Sequence, residues 1–317
     1  MQTRSSTKAS LSHKERTATE PRSRDLHPVI VDSIMEVGDT IRTFRLAIED
    51  RQNGINFLPG QWLDVHVPGI EKAGGFTITS SPRDAVAATT RSSSPFLELA
   101  VQRSPDNPPA AWLWQPTETI LGSQLAVRVG GSFIWPPPGL DSERIKRVVF
   151  IAGGVGINPL ISMLSYIREE NVPLDHVRLL YSTKLPSKTS TKSEVLFLPR
   201  ILDLFCTSKP PPRQNHRDRL ELFFTGTLDG SLLCCNEDVL FQSFVLPGFE
   251  SEGNLPVVAW GGRINEHALS SAVGNEKERG SAVFYVCGPP DMTDSIVQYL
   301  KDRENVAPES VLCEKWW

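Results

Sequence analysis

The chain has 317 residues, 39% of them apolar and 22% charged, with a net charge of −4. That length suits two ordinary domains, and the mild acidity argues against a nucleic-acid binder, which needs a basic field. Cys206, Cys234, Cys235, Cys287 and Cys313 form no C-x-x-C pair and share no ligand spacing with histidines, so no metal site, iron–sulfur cluster or disulfide framework is expected.

Residues 1–26 contain almost nothing apolar. Arg4, Lys8, Lys14, Arg16, Arg22 and Arg24 stand against Glu15, Glu20 and Asp25. Without an apolar h-region this is no secretory signal. It reads as a disordered tail, or as a targeting segment on its Arg/Ser bias, which leaves a mitochondrial or cytoplasmic location.

Residues 27–140 then read as strands. Val29–Val31 opens the set, Ile41–Ile48 alternates with period two, and Gly60–Gly69 lies between turn signals. Gly75–Pro82, Phe96–Val101 and Gln124–Val129 complete six strands, with a short helix near Pro109–Leu113. Six short strands with punctuated turns predict a small antiparallel β-barrel. Pro136-Pro137-Pro138-Gly139 reads as the linker to a second domain.

In residues 141–317 strand and helix alternate, which predicts a parallel sheet covered by helices. Strands are expected at Arg147–Ala152, Val177–Tyr181, Glu221–Gly226 and Ala282–Cys287. Helices are expected at Pro159–Glu170, Ser193–Phe205, Glu266–Val273 and Asp291–Arg303. Cys206–Arg219 and Leu228–Val257 break the rhythm and read as surface insertions. Val148–Ile167 carries no charge, yet its glycines, asparagine and proline mark a strand, turn and helix rather than a membrane span.

The turn Gly153-Gly154-Val155-Gly156-Ile157-Asn158-Pro159 joins such a strand to such a helix. Glycines let the backbone approach an anion, and the free N–H groups with the helix dipole hold it. Pro159 fits the first helical turn, where an N–H lacks an intrahelical partner anyway. This context favours nucleotide binding over an ordinary βα turn. Cys287-Gly288-Pro289-Pro290-Asp291 ends another strand, so one crevice could use both loops; by itself Cys287 is an ordinary buried thiol. Trp316 and Trp317 must bury against something, either a flat conjugated ligand or a neighbouring core or chain.

Taken in order, these motifs resemble the ferredoxin–NADP reductase family, and within it the oxidoreductase NAD-binding domain-containing proteins. The resemblance spans about Val29 to Trp317. It rests on Gly74–Pro82 (GGFTITSSP), Val127–Phe133 (VRVGGSF), Ala152–Leu160 (AGGVGINPL), Gly261–Asn265 (GGRIN), Cys287–Asp294 (CGPPDMTD) and the terminal Glu-Lys-Trp-Trp. It implies a flavin-binding barrel followed by a parallel α/β domain for NAD, with NADP as the alternative, and FAD as the flavin. In the family's Arg-x-Tyr-Ser-x-x-Ser pattern, Gly74 replaces the arginine that pairs with the flavin phosphate. Arg83 or Arg103 could serve in its stead. Phe76, Thr77, Ile78, Thr79 and Ser80 match the rest, with Thr77 expected near the flavin N5. The family's glycine–serine approach to the short pyrophosphate-binding helix becomes Asn107-Pro108-Pro109-Ala110-Ala111-Trp112.

On the nucleotide side the resemblance assigns Gly153 to Asn158 to the pyrophosphate, and Ser182, Thr183 and Lys184 to the adenosine ribose, with Lys184, Lys188 and Lys192 able to attract a 2′-phosphate. Cys287, with Gly288 and Pro289, is assigned to the nicotinamide, and one of Trp316 and Trp317 to the flavin ring. The expected activity is hydride transfer from NAD(P)H to flavin and electron delivery to an unidentified acceptor. The rival reading is an NAD(H)-binding sensor or assembly protein that has lost its flavin, which the missing arginine motivates. A dehydrogenase using NAD alone is less favoured, because no His or Lys stands in an acid–base motif. Oligomeric state is not legible.

Overall fold

The computed structural model describes residues 12–87, 94–184, 192–206, 218–226 and 257–315. Six strands form the first sheet: β1 (His27–Val37), β2 (Ile41–Ile48), β3 (Trp62–His66), β4 (Gly74–Thr77), β5 (Phe96–Gln102) and β6 (Gln124–Gly130). Their order is β4-β3-β6-β1-β2-β5, with every pairing antiparallel. Just beyond β4, Ile78 bridges Leu99 of β5, and the Thr79 N–H donates to the Glu98 carbonyl at 2.8 Å. The two edges thus meet and the sheet closes into a barrel. Alternate residues such as Val29, Val31, Phe44, Leu46, Leu63, Val65, Leu97, Leu99 and Val127 fill it.

The outer face of β3 is not solvated. Trp62 and Asp64 alternate with Leu63 and Val65 of the barrel core, yet they are only 1% and 2% exposed. Part of the segment expected to be a tail covers them. A single helical turn, His13–Arg16, starts from a Ser12–Glu15 capping box. His13 Nε2 lies 3.0 Å from Asp64 Oδ1, while Arg22 Nε and an Arg128 terminal nitrogen donate to Oδ2 at 3.1 and 2.7 Å. The His13 ring stands edge-on to Trp62 at 4.7 Å, and Arg22 lies over the same indole. A Ser23 N–H to Val129 carbonyl bond and a Gly131 N–H to Pro21 carbonyl bond complete the attachment. From Ser12 on, the tail expectation is therefore corrected: polar composition marked a segment that orders itself around one buried carboxylate. Residues 1–11 lie outside the described residues.

The second sheet contains β7 (Arg147–Gly153), β8 (His176–Lys184), β9 (Arg219–Thr225), β10 (Val257–Gly261), β11 (Ala282–Cys287) and β12 (Val311–Glu314). Their order is β10-β9-β8-β7-β11-β12, all parallel. All seven residues of β7 are buried, as in a strand covered on both faces. Helices Ile157–Glu169 and Leu198–Cys206 belong to one face, whose core also takes in Phe133 and Trp135; helices Glu266–Val273 and Pro290–Lys301 cover the other. The edge strands β10 and β12 were not expected. Both insertions fall mostly outside the described residues, with Cys234 and Cys235. No helix among the described residues is long and apolar enough to cross a membrane.

Helix Ile157–Glu169 ties the two domains together. Asn158 Nδ2 donates to the Ala100 carbonyl at 2.9 Å, Ser162 Oγ donates to the Ser80 carbonyl at 2.7 Å, and Ser81 Oγ bonds Glu169. Tyr285 of β11 adds a hydroxyl bond to the Ile134 carbonyl at 2.8 Å.

Candidate active site

The strand order reverses between β7 and β11, because the chain leaves β7 toward β8 and later returns on the opposite side. Such a switch point opens a crevice beyond the C-terminal strand ends. The loops after β7 and β11 meet there at backbone contact. A Cβ on Gly156 would lie 2.1 Å from the Cys287 carbonyl oxygen, and one on Gly153 would lie 2.7 Å from the Pro289 ring. These two glycines are needed for the loops to close on each other.

Gly154 differs. Its φ is +54°, a region that favours glycine, and a Cβ there would meet nothing within 4 Å. The turn Gly154–Gly156 leads directly into helix Ile157–Glu169, and no side chain caps the N-terminus of either. The turn thus presents bare backbone and uncapped N–H groups, the arrangement that receives an anion.

A cleft of about 800 Å³ lies between this loop pair and the barrel. Phe76 and Thr77 of β4 and Ala100–Gln102 of β5 line the barrel side, with Asn107 and Ala110 beside them. Gly153 to Gly156, Asn158, Thr183, Lys184, Cys287, Gly288 and Pro289 line the other. Asn158 is 6% exposed, and its Oδ1 has no hydrogen-bond partner among the described residues. The Ala100 carbonyl needs a donor, so it fixes the Asn158 Nδ2 and leaves the acceptor oxygen. A buried acceptor without a partner costs about 1–3 kcal/mol, which a ligand N–H would relieve. The Cys287 thiol is pushed well up by burial, with Glu314 and Cys313 adding to the effect. It stays protonated at neutral pH and is no thiolate nucleophile.

No protein-family model matches the chain. It is 32% identical over 323 residues to oxidoreductase NAD-binding domain-containing protein 1 of Xenopus tropicalis, covering 99% of this chain and 87% of that protein. The chain belongs to this family. Among solved structures it matches a cytochrome P450 reductase from Amycolatopsis with a TM-score of 0.62, at 18% identity over 92% of this chain and 71% of that one. It also matches the cytochrome b5 reductase domain of Ulva prolifera nitrate reductase with a TM-score of 0.58, at 17% identity over 92% of this chain and 98% of that one. These two likenesses establish the fold.

Within this oxidoreductase NAD-binding domain-containing chain, the cleft brings together most of the expected site. Phe76, Thr77, Gly153, Gly154, Val155, Gly156, Asn158, Thr183, Cys287, Gly288 and Pro289 all line it. Ile78, Thr79 and Ser80 do not. Ile78 is fully buried in the barrel, Thr79 Oγ1 donates to Glu98 at 2.7 Å, and Ser80 Oγ accepts from the Glu98 N–H. They close the barrel and anchor the helix strut. Ile157 and Pro159 are likewise buried in that helix rather than lining the cleft, and Ser182 stands outside the lining. Trp316, Trp317 and Lys188 lie outside the described residues.

The missing arginine has a structural counterpart. A Cβ on Gly74 would lie 2.6 Å from the Phe76 ring and 2.7 Å from the Pro109 Cβ, and one on Gly75 would lie 2.1 Å from the His13 ring. Space that a side chain would need is filled by protein. Neither suggested substitute lines the cleft: Arg83 pairs with Glu170 at 3.0 Å, and Arg103 lies over Trp114. The barrel side is lined by Phe76, which is buried against the barrel core, by Thr77 and by Ala100–Gln102 of β5. Sequence reading missed Arg16, the β1–β2 turn Gly38–Thr40, the β5 backbone and Leu196, all in the lining.

Proposed function

We propose that the chain is a flavin-dependent NAD(P)H oxidoreductase that uses NADH in preference to NADPH, carries FAD, and delivers electrons to a separate acceptor. One observation carries this reading: a single cleft has the aromatic and hydroxyl wall of the barrel on one side and the bare glycine turn on the other. A bound flavin supplies the ring chemistry that takes up hydride and releases electrons.

The chain's own residues bind and orient. The backbone at Gly153–Gly156 and the uncapped helix behind it hold the dinucleotide pyrophosphate. Thr183 and Lys184, at the end of β8, serve the adenosine ribose. Phe76 offers a ring face, and Thr77 a hydroxyl for the flavin N5 region. Asn158 Oδ1 accepts from a ligand N–H. Cys287 gives the nicotinamide an uncharged neighbour because burial keeps its proton in place. The fixed spacing of the two walls, held by helix Ile157–Glu169, supplies proximity.

The test is a visible spectrum of the purified, flavin-supplemented full chain. Bound-flavin bands that bleach on anaerobic addition of NADH support the reading. An absence of such bands, with NADH still bound, selects the rival role of NAD(H)-binding sensor or assembly protein. The closed space over Gly74 is the observation that favours that rival.

A further inference from the structure

We propose that Arg16 is the cation that binds the phosphate of the flavin nucleotide; this inference rests on the flavin reading above. Among the described residues lining the cleft, the Lys and Arg side chains are Arg16 and Lys184. Lys184 ends β8, on the nucleotide side. Arg16 shares the lining with Gly75, Phe76, Asn107 and Ala110, on the barrel side. Asp39 and Glu194, also in the lining, would repel a phosphate. Among the described lining residues, Arg16 is thus the side-chain cation on the barrel side, and guanidinium is well suited to phosphate oxygens.

The placement of Arg16 is built into the fold. The nearest residues that fix it, His13 and Arg22, hold the same buried carboxylate, so Asp64 pins the segment on both sides of Arg16. His13, three residues before Arg16 and hence on the same side of the helical turn, occupies the space above Gly75. Thr17 joins the lock through its carbonyl, which accepts from an Arg22 terminal nitrogen at 2.6 Å. Arg16 itself is exposed. Glycine at 75 removes a side chain from β4, and the His13–Arg16 turn takes over that surface and brings an arginine with it.

The experiment is an equilibrium titration of FAD, FMN and riboflavin, read by flavin fluorescence, into the full chain and its Arg16→Ala and Arg16→Lys variants. The expected result is an affinity for FAD and FMN about 10- to 100-fold weaker in Arg16→Ala, with Arg16→Lys intermediate. Riboflavin, which lacks a phosphate, should bind the variants as it binds the wild type. FAD and FMN affinities within twofold of wild type would overturn the assignment and leave the flavin reading standing. So would an equal loss for riboflavin, or a loss confined to NADH titrated in parallel. A wild-type chain that binds none of the three flavins overturns both.

Discussion

The two glycine-bearing edges of the cleft use the same residue for opposite ends. At Gly154 the absent side chain leaves open space in front of an uncapped helix. At Gly74 and Gly75 the absent side chains leave room that Pro109, Phe76 and His13 fill. A glycine-rich motif therefore does not announce a ligand by itself. What decides is whether the vacated volume faces solvent or another part of the chain, and only the three-dimensional neighbours settle that.

The largest effect is expected at Gly156, which belongs to the filled class although it sits in the open turn. Gly156→Ala pushes a methyl into the Cys287 and Gly288 backbone, which cannot swing aside. Urea denaturation should show a loss of about 3 kcal/mol. Asp64→Ala comes next, since it strips a hydrogen-bond partner from His13 and the counter-charge from Arg22 and Arg128. The arginines keep some access to water, so the loss should be about 2 kcal/mol, below that of a wholly buried pair. Limited proteolysis should then cut within residues 12–26, and unchanged protection there would show that the segment holds without the carboxylate. Gly154→Ala should cost only about 1 kcal/mol of stability for its left-handed backbone. Its main effect should appear in NADH titrations as weaker binding, and an unchanged affinity would remove the turn from the nucleotide site.

The smallest contrast is in acid. His176 has its pKa lowered to about 4 by burial and then by the charges of Arg147 and Arg178. Between an unfolded value near 6.5 and 4, the unfolded chain takes up a proton that the folded chain refuses, so stability falls as pH falls through that window. Asp64 behaves differently. Burial pushes its pKa up, but the hydrogen bonds from His13 and Arg128 and the charge of Arg22 outweigh that and hold it low. Its contribution, present above the usual carboxylate pKa, fades only below it. His176→Gln should flatten the stability–pH curve from pH 6.5 to 4 and leave the more acidic limb, measured by thermal melts across pH.

Much of this architecture was legible because the periods of the sequence are unambiguous. Ile41–Ile48 alternates cleanly, and helix Glu266–Val273 and strand Ala282–Cys287 stand where their patterns put them. β10 and β12 were missed because each is a short edge strand, and the first of them directly follows a long interval of mixed polarity. Gly153–Gly156, Thr77 and Cys287 could be placed together at the cleft from sequence because motif and strand end coincide. Thr79 and Ser80 look the same in sequence as Thr77, yet their hydroxyls turn to Glu98. Arg16 was hidden for another reason: its position depends on Asp64, forty-eight residues on, and no local pattern reports such a pairing.

Helix Ile157–Glu169 begins at the open glycine turn, and along its length it bonds to Ala100, Ser80 and Ser81 of the barrel. The gap between the barrel wall and the nucleotide loop is therefore spanned by a rod fastened to both banks. A fluctuation that widened that gap would have to break Asn158–Ala100 and Ser162–Ser80 together. In the proposed function, donor and acceptor atoms placed across it would inherit a tolerance set by covalent geometry and a few short bonds, so that their alignment is established when the chain folds rather than at each turnover.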